Sequence, residues 1–354
     1  MGLGLIIFIH EFGHFTAGKL MGLKVREFMF GLPGPRVLSL KWGETEYGVT
    51  ALPFGGYVRF AGVESELQTE EDEEDRNTPP ERKYDTQPRW KKAIIMVAGP
   101  LMNIILCVVL VAVMLMFQGM PKDPASGGSN ILGRVSKSSP AQKVGLKEGD
   151  RVISVDGKKV KTWNGLVSGL KSKPGKQVTI VVDRNGKTLT LLPTLDKKNG
   201  KGFLGISIGF KQLNPFAAAW QGLVTTWLIV KFMVVTLYTV ITTNLGLLVK
   251  DSAGPVRIVS ESAKIAQESF WQFIWFMAII SVNIGIVNLL PIPPLDGGRL
   301  AILGIEGIKR GPVNQKLVYA VNAIGMALLL ALMVYFVYAD IAKIVAGTPF
   351  PGGG

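Results

Sequence analysis

Apolar side chains arrive in long runs, separated by polar stretches of very different texture. Runs 93–117, 270–298 and 317–340 each hold enough apolar residues for a helix to cross a bilayer, which takes about 20 residues. Run 2–23 has the same character, and 215–249 carries a single charge, Lys231. The latter reads either as a span or as helix lying against the membrane. Between the first two runs, 24–92 is polar. Its stretch ETEYGVTALPFGGYVRFAG (44–62) mixes β-branched and aromatic residues around a Pro-Phe-Gly-Gly turn, which predicts a β-hairpin or small sheet. The acidic ESELQTEEDEEDRNTPPERKYD that follows reads as a solvated segment. PRWKK (88–92) sets cationic and aromatic residues at a membrane boundary. Residues 118–130 have the composition of a linker. Thereafter short β-type runs alternate with Gly- and Asn-rich turns, with a short helix predicted over 163–172, so 127–210 reads as a small β-rich soluble domain. Residues 299–316 read as a basic loop.

The pattern predicts a polytopic α-helical membrane protein of about four spans, with an inserted β-rich domain. Composition agrees: of 354 residues 48% are hydrophobic and 18% charged. The net charge of +13 is concentrated in 127–210, where sixteen Lys/Arg face five Asp/Glu. That asymmetry suits a solvated face drawn to anionic lipid headgroups. No aromatic-interleaved basic motif accompanies it, and membrane runs flank it, so the reading excludes a nucleic-acid partner. Cys107 is the single cysteine, and it rules out a disulfide framework. Only nine residues precede His10, about 14 Å of helix and around half a hydrocarbon core, so either the N-terminus is trimmed or it sits near one face. This start lacks the charged region and cleavage site of a signal peptide.

The candidate chemistry lies inside the first run. HEFGH (10–14) fits H-E-x-x-H. On a helix, positions i and i+4 share a face, so His10 and His14 can reach one zinc ion. Glu11 sits about 100° around, beside the metal, as a general base acting on water would. These are the only two histidines, and ionisable groups at membrane depth are costly, about 2.5 kcal/mol or more each. Catalytic zinc needs a third protein ligand and an open position. With no further His and one Cys, a carboxylate must supply it. NLLPIPPLDGGRL (288–300) offers Asp296 at the end of an apolar run, where prolines break the helix and glycines free the backbone. Irregular backbone at that depth belongs where it lines a cavity.

Together, IIFIHEFGH and NLLPIPPLDGG resemble the site-2 protease family of intramembrane zinc metalloproteases, in its bacterial branch with a single PDZ domain. FGGYVRFAG (54–62), VAGPLMN (97–103) and SVNIGIVNLLPIPPLDGGR (281–299) extend the resemblance over nearly the whole chain. It implies that His10, His14 and Asp296 bind Zn2+, that Glu11 activates water, and that Asn288 hydrogen-bonds the substrate backbone. It implies that the 44–62 hairpin dips into the membrane and presents an edge to an unwound substrate helix. It also implies a circularly permuted PDZ domain, in which GFLGI (202–206) is the carboxylate-binding loop. Leu204, Gly205 and Ile206 would then capture a trimmed C-terminus, or the domain shields the site by bulk; both readings stand. The implied partners are single-pass membrane proteins such as anti-sigma factors, signal-peptide remnants and the lipid bilayer. The location read is the inner (cytoplasmic) membrane. If His10 and Asp296 share one ion they lie at one depth, which four spans achieve with 24–92 and 299–316 cytoplasmic and the PDZ domain outside. The basic 299–316 loop accords with this, whereas a fifth span through 215–249 would put that loop outside and ranks lower. Two rivals remain at this point: a PDZ-bearing membrane scaffold without metal, and a membrane zincin of another family whose third ligand is a glutamate.

Overall fold

A computed structural model describes residues 2–52, 55–63, 77–121, 130–198, 200–243 and 254–346. Residues 64–76 of the acidic run, most of the predicted linker and the end of 215–249 lie outside the described residues. The tail of that run, 77–85, is not the expected solvated segment but is packed, with Thr78 buried and the Tyr84 amide donating to Ala61 O. The chain forms two compact units, Met1–Ala112 with Ala219–Gly354, and Val113–Ala218.

The first unit is built of helices: α1 Gly2–Leu20, α2 Arg89–Gln118, α3 Pro215–Thr243, α4 Pro255–Glu268, α5 Phe270–Asn288, α6 Asp296–Lys309 and α7 Gln315–Val345. Among the described residues, four helices are long and apolar enough to cross a membrane: α2, α3, α5 and α7. α1 is absent from that set because His10, Glu11, His14 and Lys19 interrupt its apolar run. The segment from 215 is one continuous helix to Thr243. Two expectations are corrected here. The third span ends at Asn288 rather than at 298, because Pro291, Pro293 and Pro294 cannot extend the helical ladder. And 299–309 is helix, not loop: α6 begins on Asp296 and ends on Lys309, charges that complement its dipole.

Packing fixes the direction of the helices. Gly2 faces Phe273 and Met277. Ile6 packs with Met277 and Ile280. Farther along, Ile7 and His10 line one cavity with Ile284 and Asn288. Residue numbers rise together, so α1 and α5 run in the same direction. Against α2 they fall: Ile6 packs with Leu106 and Leu110, while His14 meets Ile95. α2 is therefore antiparallel to both.

Beside α1 lies a four-stranded sheet, β1 Val25–Phe30, β2 Arg36–Trp42, β3 Thr45–Thr50 and β4 Gly56–Phe60, in the order β2-β3-β1-β4. The expected 44–62 hairpin is not formed. β3 and β4 are separated by β1, which pairs parallel with β3 and antiparallel with β4; the antiparallel neighbour of β3 is β2. The reason is burial. VREFMF is buried along nearly its whole length, so it takes an interior position. Its one acid, Glu27, is matched there by Arg36 at 2.9 Å and Arg59 at 3.4 Å.

The unit Val113–Ala218 follows different rules. Short antiparallel strands meet at Asp156-Gly157 and Asn185-Gly186, whose positive φ values (46° and 76°, 52° and 80°) suit two-residue hairpins. The predicted helix is present as Trp163–Lys171, capped by Thr162, and it buries Leu166 and Leu170. These join Leu132, Val152, Ile180, Val182 and Leu204 in one core. Asp150, 1% exposed, is held by Arg184 through bonds of 2.7 and 2.8 Å. Burial alone raises its carboxyl, but the guanidinium and the Lys147 amide outweigh it and hold the group below its ordinary value. A lowered folded value means stability fully present above the unfolded pKa of about 3.9 and lost as pH falls below it and through the lower folded pKa. We predict that Asp150→Asn costs this unit about 1.5–3 kcal/mol at pH 7. Amide exchange of the unit, followed in full-length protein, should show the gap to wild type closing below about pH 4.

Candidate active site

Three side chains distant in sequence meet on one point. Asp296 Oδ2 lies 3.0 Å from His10 Nε2 and 3.3 Å from His14 Nε2. The two Nε2 atoms are 3.2 Å apart. His10 and His14 are 5% and 6% exposed, on the face of α1 that α2 covers. Asp296 is delivered from the other side, at the first turn of α6. Gly297 and Gly298 make this possible: a Cβ at 297 would lie 2.2 Å from Leu290 O, and one at 298 would lie 2.6 Å from Pro293 N. The bare glycines let α6 nest onto the 289–295 turn, and Asp296 is thereby aimed at α1.

α2 closes the other side. A Cβ on Gly99 would stand 2.3 Å from His14 Nε2 and 2.8 Å from His10 Nε2, so only a glycine backbone fits against the imidazoles. His14 Nδ1 donates to Ile95 O at 2.7 Å, which leaves its Nε2 as a bare lone pair facing Asp296. Asn103 Nδ2 is 3.3 Å from His10 Nδ1. VAGPLMN thus contributes two residues to the site, Gly99 and Asn103. The sequence reading assigned neither a role, because nothing in helical periodicity says which faces of α1 and α2 will meet.

Donor atoms gathered this closely could hold a metal ion between them. Tetrahedral ligands at about 2.0–2.1 Å from zinc lie about 3.3 Å from one another, which matches the three separations. Two imidazoles and one carboxylate are the donors zinc takes in catalytic sites, with a fourth position left open.

The three residues open into a cavity of about 630 Å³. Glu11 and Asn288 also line it, as do Tyr57, Val58, Arg59 and Phe60 of β4. Gly56 packs its backbone on Glu11, with an added Cβ only 3.3 Å from Glu11 Cγ. Burial, then the nearby Glu27 carboxylate, push the Tyr57 phenol up to about 12, so it remains a hydrogen-bond donor at neutral pH. Leu204, Gly205 and Ile206 belong to the other unit. There the carbonyls of Leu204 and Gly205 accept from Ala141 and Ser136, and the Leu204 side chain is buried in the core. Only backbone of Leu204 can serve a ligand.

Two buried histidines and a half-buried aspartate beside a glutamate, in a bundle of membrane-length helices, define a metal-dependent hydrolase of the membrane. A sequence model of peptidase family M50 matches residues 1–332, and the chain belongs to that family. The regulator of sigma-W protease RasP of Bacillus subtilis is 29% identical over 419 residues, covering 96% of each chain. The zinc metalloprotease RasP of Geobacillus kaustophilus is 29% identical over 411 residues, again with 96% of each chain covered. A provisionally named zinc metalloprotease of Clostridium acetobutylicum is 33% identical over 344 residues, covering 96% of this chain and 95% of its own. Among solved structures, a PDZ domain from Listeria monocytogenes matches 23% of this chain and 87% of its own at 26% identity, with a TM-score of 0.21. The protein is an intramembrane zinc metalloprotease, a multi-pass membrane protein of the site-2 protease type. Family membership sets aside the scaffold and the unrelated zincin.

We predict that Gly99→Ala drops zinc well below one ion per chain and removes cleavage with it. Gly34→Ala, in open space with its nearest neighbour at 3.9 Å, should leave both unchanged. Elemental analysis of the purified proteins checks this.

Proposed function

We propose that His10, His14 and Asp296 hold the zinc ion and that Glu11 is the general base of peptide-bond hydrolysis. The observation that carries this reading is the mutual approach of the three donor atoms within 3.3 Å. Zinc held there supplies Lewis-acid polarisation and lowers the pKa of water. Glu11, one residue from His10 and lining the same cavity, takes the proton from the attacking water and passes it to the leaving amine. Asn288, at the end of α5, hydrogen-bonds the substrate backbone and fixes the scissile bond over the cavity. β4 is an edge of its sheet and lines that cavity, so an extended substrate segment adds to it by β-pairing. A transmembrane helix must unwind locally before any of its peptide bonds is exposed, and an open strand edge stabilises the unwound form.

The substrates in this reading are single-pass membrane proteins, such as anti-sigma factors, and signal-peptide remnants. The unit Val113–Ala218 is a circularly permuted PDZ domain that meets them outside the membrane. Among the described residues, strand Ile206–Ile208 pairs with Leu132–Val135 alone, so a trimmed C-terminus adds along its other edge. The orientation has its own support. α1 and α5 run in the same direction, and α2 supplies the return between them. α3 and α4 together then make no net crossing. The cations Arg299, Lys309, Arg310 and Lys316 after α5 favour the cytoplasmic side of the inner membrane. The polar 24–92 segment shares that side, and the PDZ unit lies opposite.

Two experiments test these assignments. Glu11→Gln should keep one zinc per chain and lose cleavage of a tagged single-pass substrate by about 10²–10⁴-fold, whereas Asp296→Ala should lose the metal as well. Full cleavage by zinc-loaded Glu11→Gln would sink the general-base role. For orientation, in a Cys107→Ala background an impermeant maleimide should label Lys137→Cys on intact spheroplasts. Lys309→Cys should be labelled only after permeabilisation, and the reverse pattern would overturn the topology.

A further inference from the structure

Asn103 has a place in the site that the hydrolytic chemistry does not use. It is fully buried on α2. Its backbone carbonyl accepts from Ser281 Oγ of α5 at 2.8 Å, and Gly285 packs so closely that an added Cβ would lie 3.3 Å from Asn103 Cβ. Its side chain points the other way, at α1, where Nδ2 is 3.3 Å from His10 Nδ1. The other end of that amide, Oδ1, is buried without a hydrogen-bond partner among the described residues. A buried carbonyl without a donor is costly, about 1–3 kcal/mol, and therefore asks for an explanation.

The chemistry of His10 supplies one. Its Nε2 is the nitrogen that faces Asp296 and His14, at 3.0 and 3.2 Å. A neutral imidazole that offers Nε2 to a metal carries its proton on Nδ1. That N–H requires an acceptor, and Asn103 is the side chain beside it. A carboxamide turned end for end fills the same space and sets Oδ1, not Nδ2, against Nδ1. One turn gives the orphaned carbonyl a donor and the imidazole an acceptor.

We propose that Asn103 is a positioning residue for the metal: it accepts from His10 Nδ1–H, fixes that tautomer, and so presents Nε2 as a bare lone pair. The proposal rests on the reading of His10 as a zinc ligand. His14 is oriented in the same way by a backbone group, Ile95 O at 2.7 Å. Each histidine thus has its own acceptor on α2, and at His10 that acceptor is a side chain. Orientation by an acceptor on the far ring nitrogen is a general requirement of metal-bound histidine.

The test uses full-length protein in detergent, labelled with ¹⁵N-histidine and loaded with zinc. With only two histidines, assignment needs one His14→Ala spectrum. The proposal expects His10 with a protonated Nδ1 and a metal-shifted Nε2; a bare Nδ1 on His10 overturns it without recourse to any Asn103 variant. Zinc affinity by chelator competition is the second readout. Asn103→Leu should weaken binding about 10–100-fold, while Asn103→Asp, which still accepts from Nδ1–H, should bind at least as tightly as wild type. Wild-type affinity in Asn103→Leu, or equal weakening in Asn103→Asp, overturns the proposal. Failure of the wild-type protein to bind zinc, or normal binding by His14→Ala, overturns the ligand assignment itself, and does so before Asn103 is changed.

Discussion

Two imidazoles and a carboxylate within 3.3 Å of one another, buried between apolar helices, set the terms for the rest of the membrane unit. Each group alone would be costly at that depth. On the proposed reading, a divalent cation among them would offset that cost, two neutral donors and one negative charge against two positive. The arrangement holds only if three elements arrive at one depth from different directions. α1 brings both histidines on one face. The turn after α5 breaks the helix so that α6 can start on Asp296. α2 runs back between α1 and α5, with a glycine where the imidazoles need room. The common direction of α1 and α5 suits the same arrangement, because the first half of α1 and the whole of α5 both end at the layer of this cluster.

The cavity beside this cluster reconciles two opposed needs. Hydrolysis needs water and a hydrogen-bonding environment, whereas the surrounding helices need a dry one. The structure meets both by lining one side of the cavity with β4 and the 289–295 turn, backbone that a bilayer tolerates only where it borders a cavity. Glu27, matched by Arg36 and by Arg59 of β4 itself, ties β4 to the interior strand β1 by charge as well as by the backbone ladder. The second unit has neither constraint. It is a small domain with an apolar core, hairpin turns of Asp-Gly and Asn-Gly, a capped helix and a buried Asp150 paired with Arg184.

The legible features were those governed by local periodicity. Helix spacing placed His10 and His14 on one face and Glu11 beside them, apolar length marked 93–117 and 317–340 as spans, and turn chemistry outlined the β-rich unit with its helix expected over 163–172. The prolines and glycines of LPIPPLDGG announced an irregular turn. By itself, then, the sequence determined the local facts: which residues share a helix face, where helices break, and which donors exist for a metal. What only the tertiary structure decided were pairings between distant segments. Donor shortage had already pointed to Asp296, but that it approaches both histidines, more than 280 positions earlier, to within 3.3 Å, and that α1 and α5 share a direction, came only from the fold. β1 takes the interior position between β3 and β4, and helix replaces an expected basic loop after Asp296. Gly99 and Asn103 gain their place only because one face of α2 covers His10 and His14. The physical reason is one and the same: periodicity reports which side chains project together from one element, but which faces of two elements meet depends on how closely their backbones can approach, and that is settled by packing.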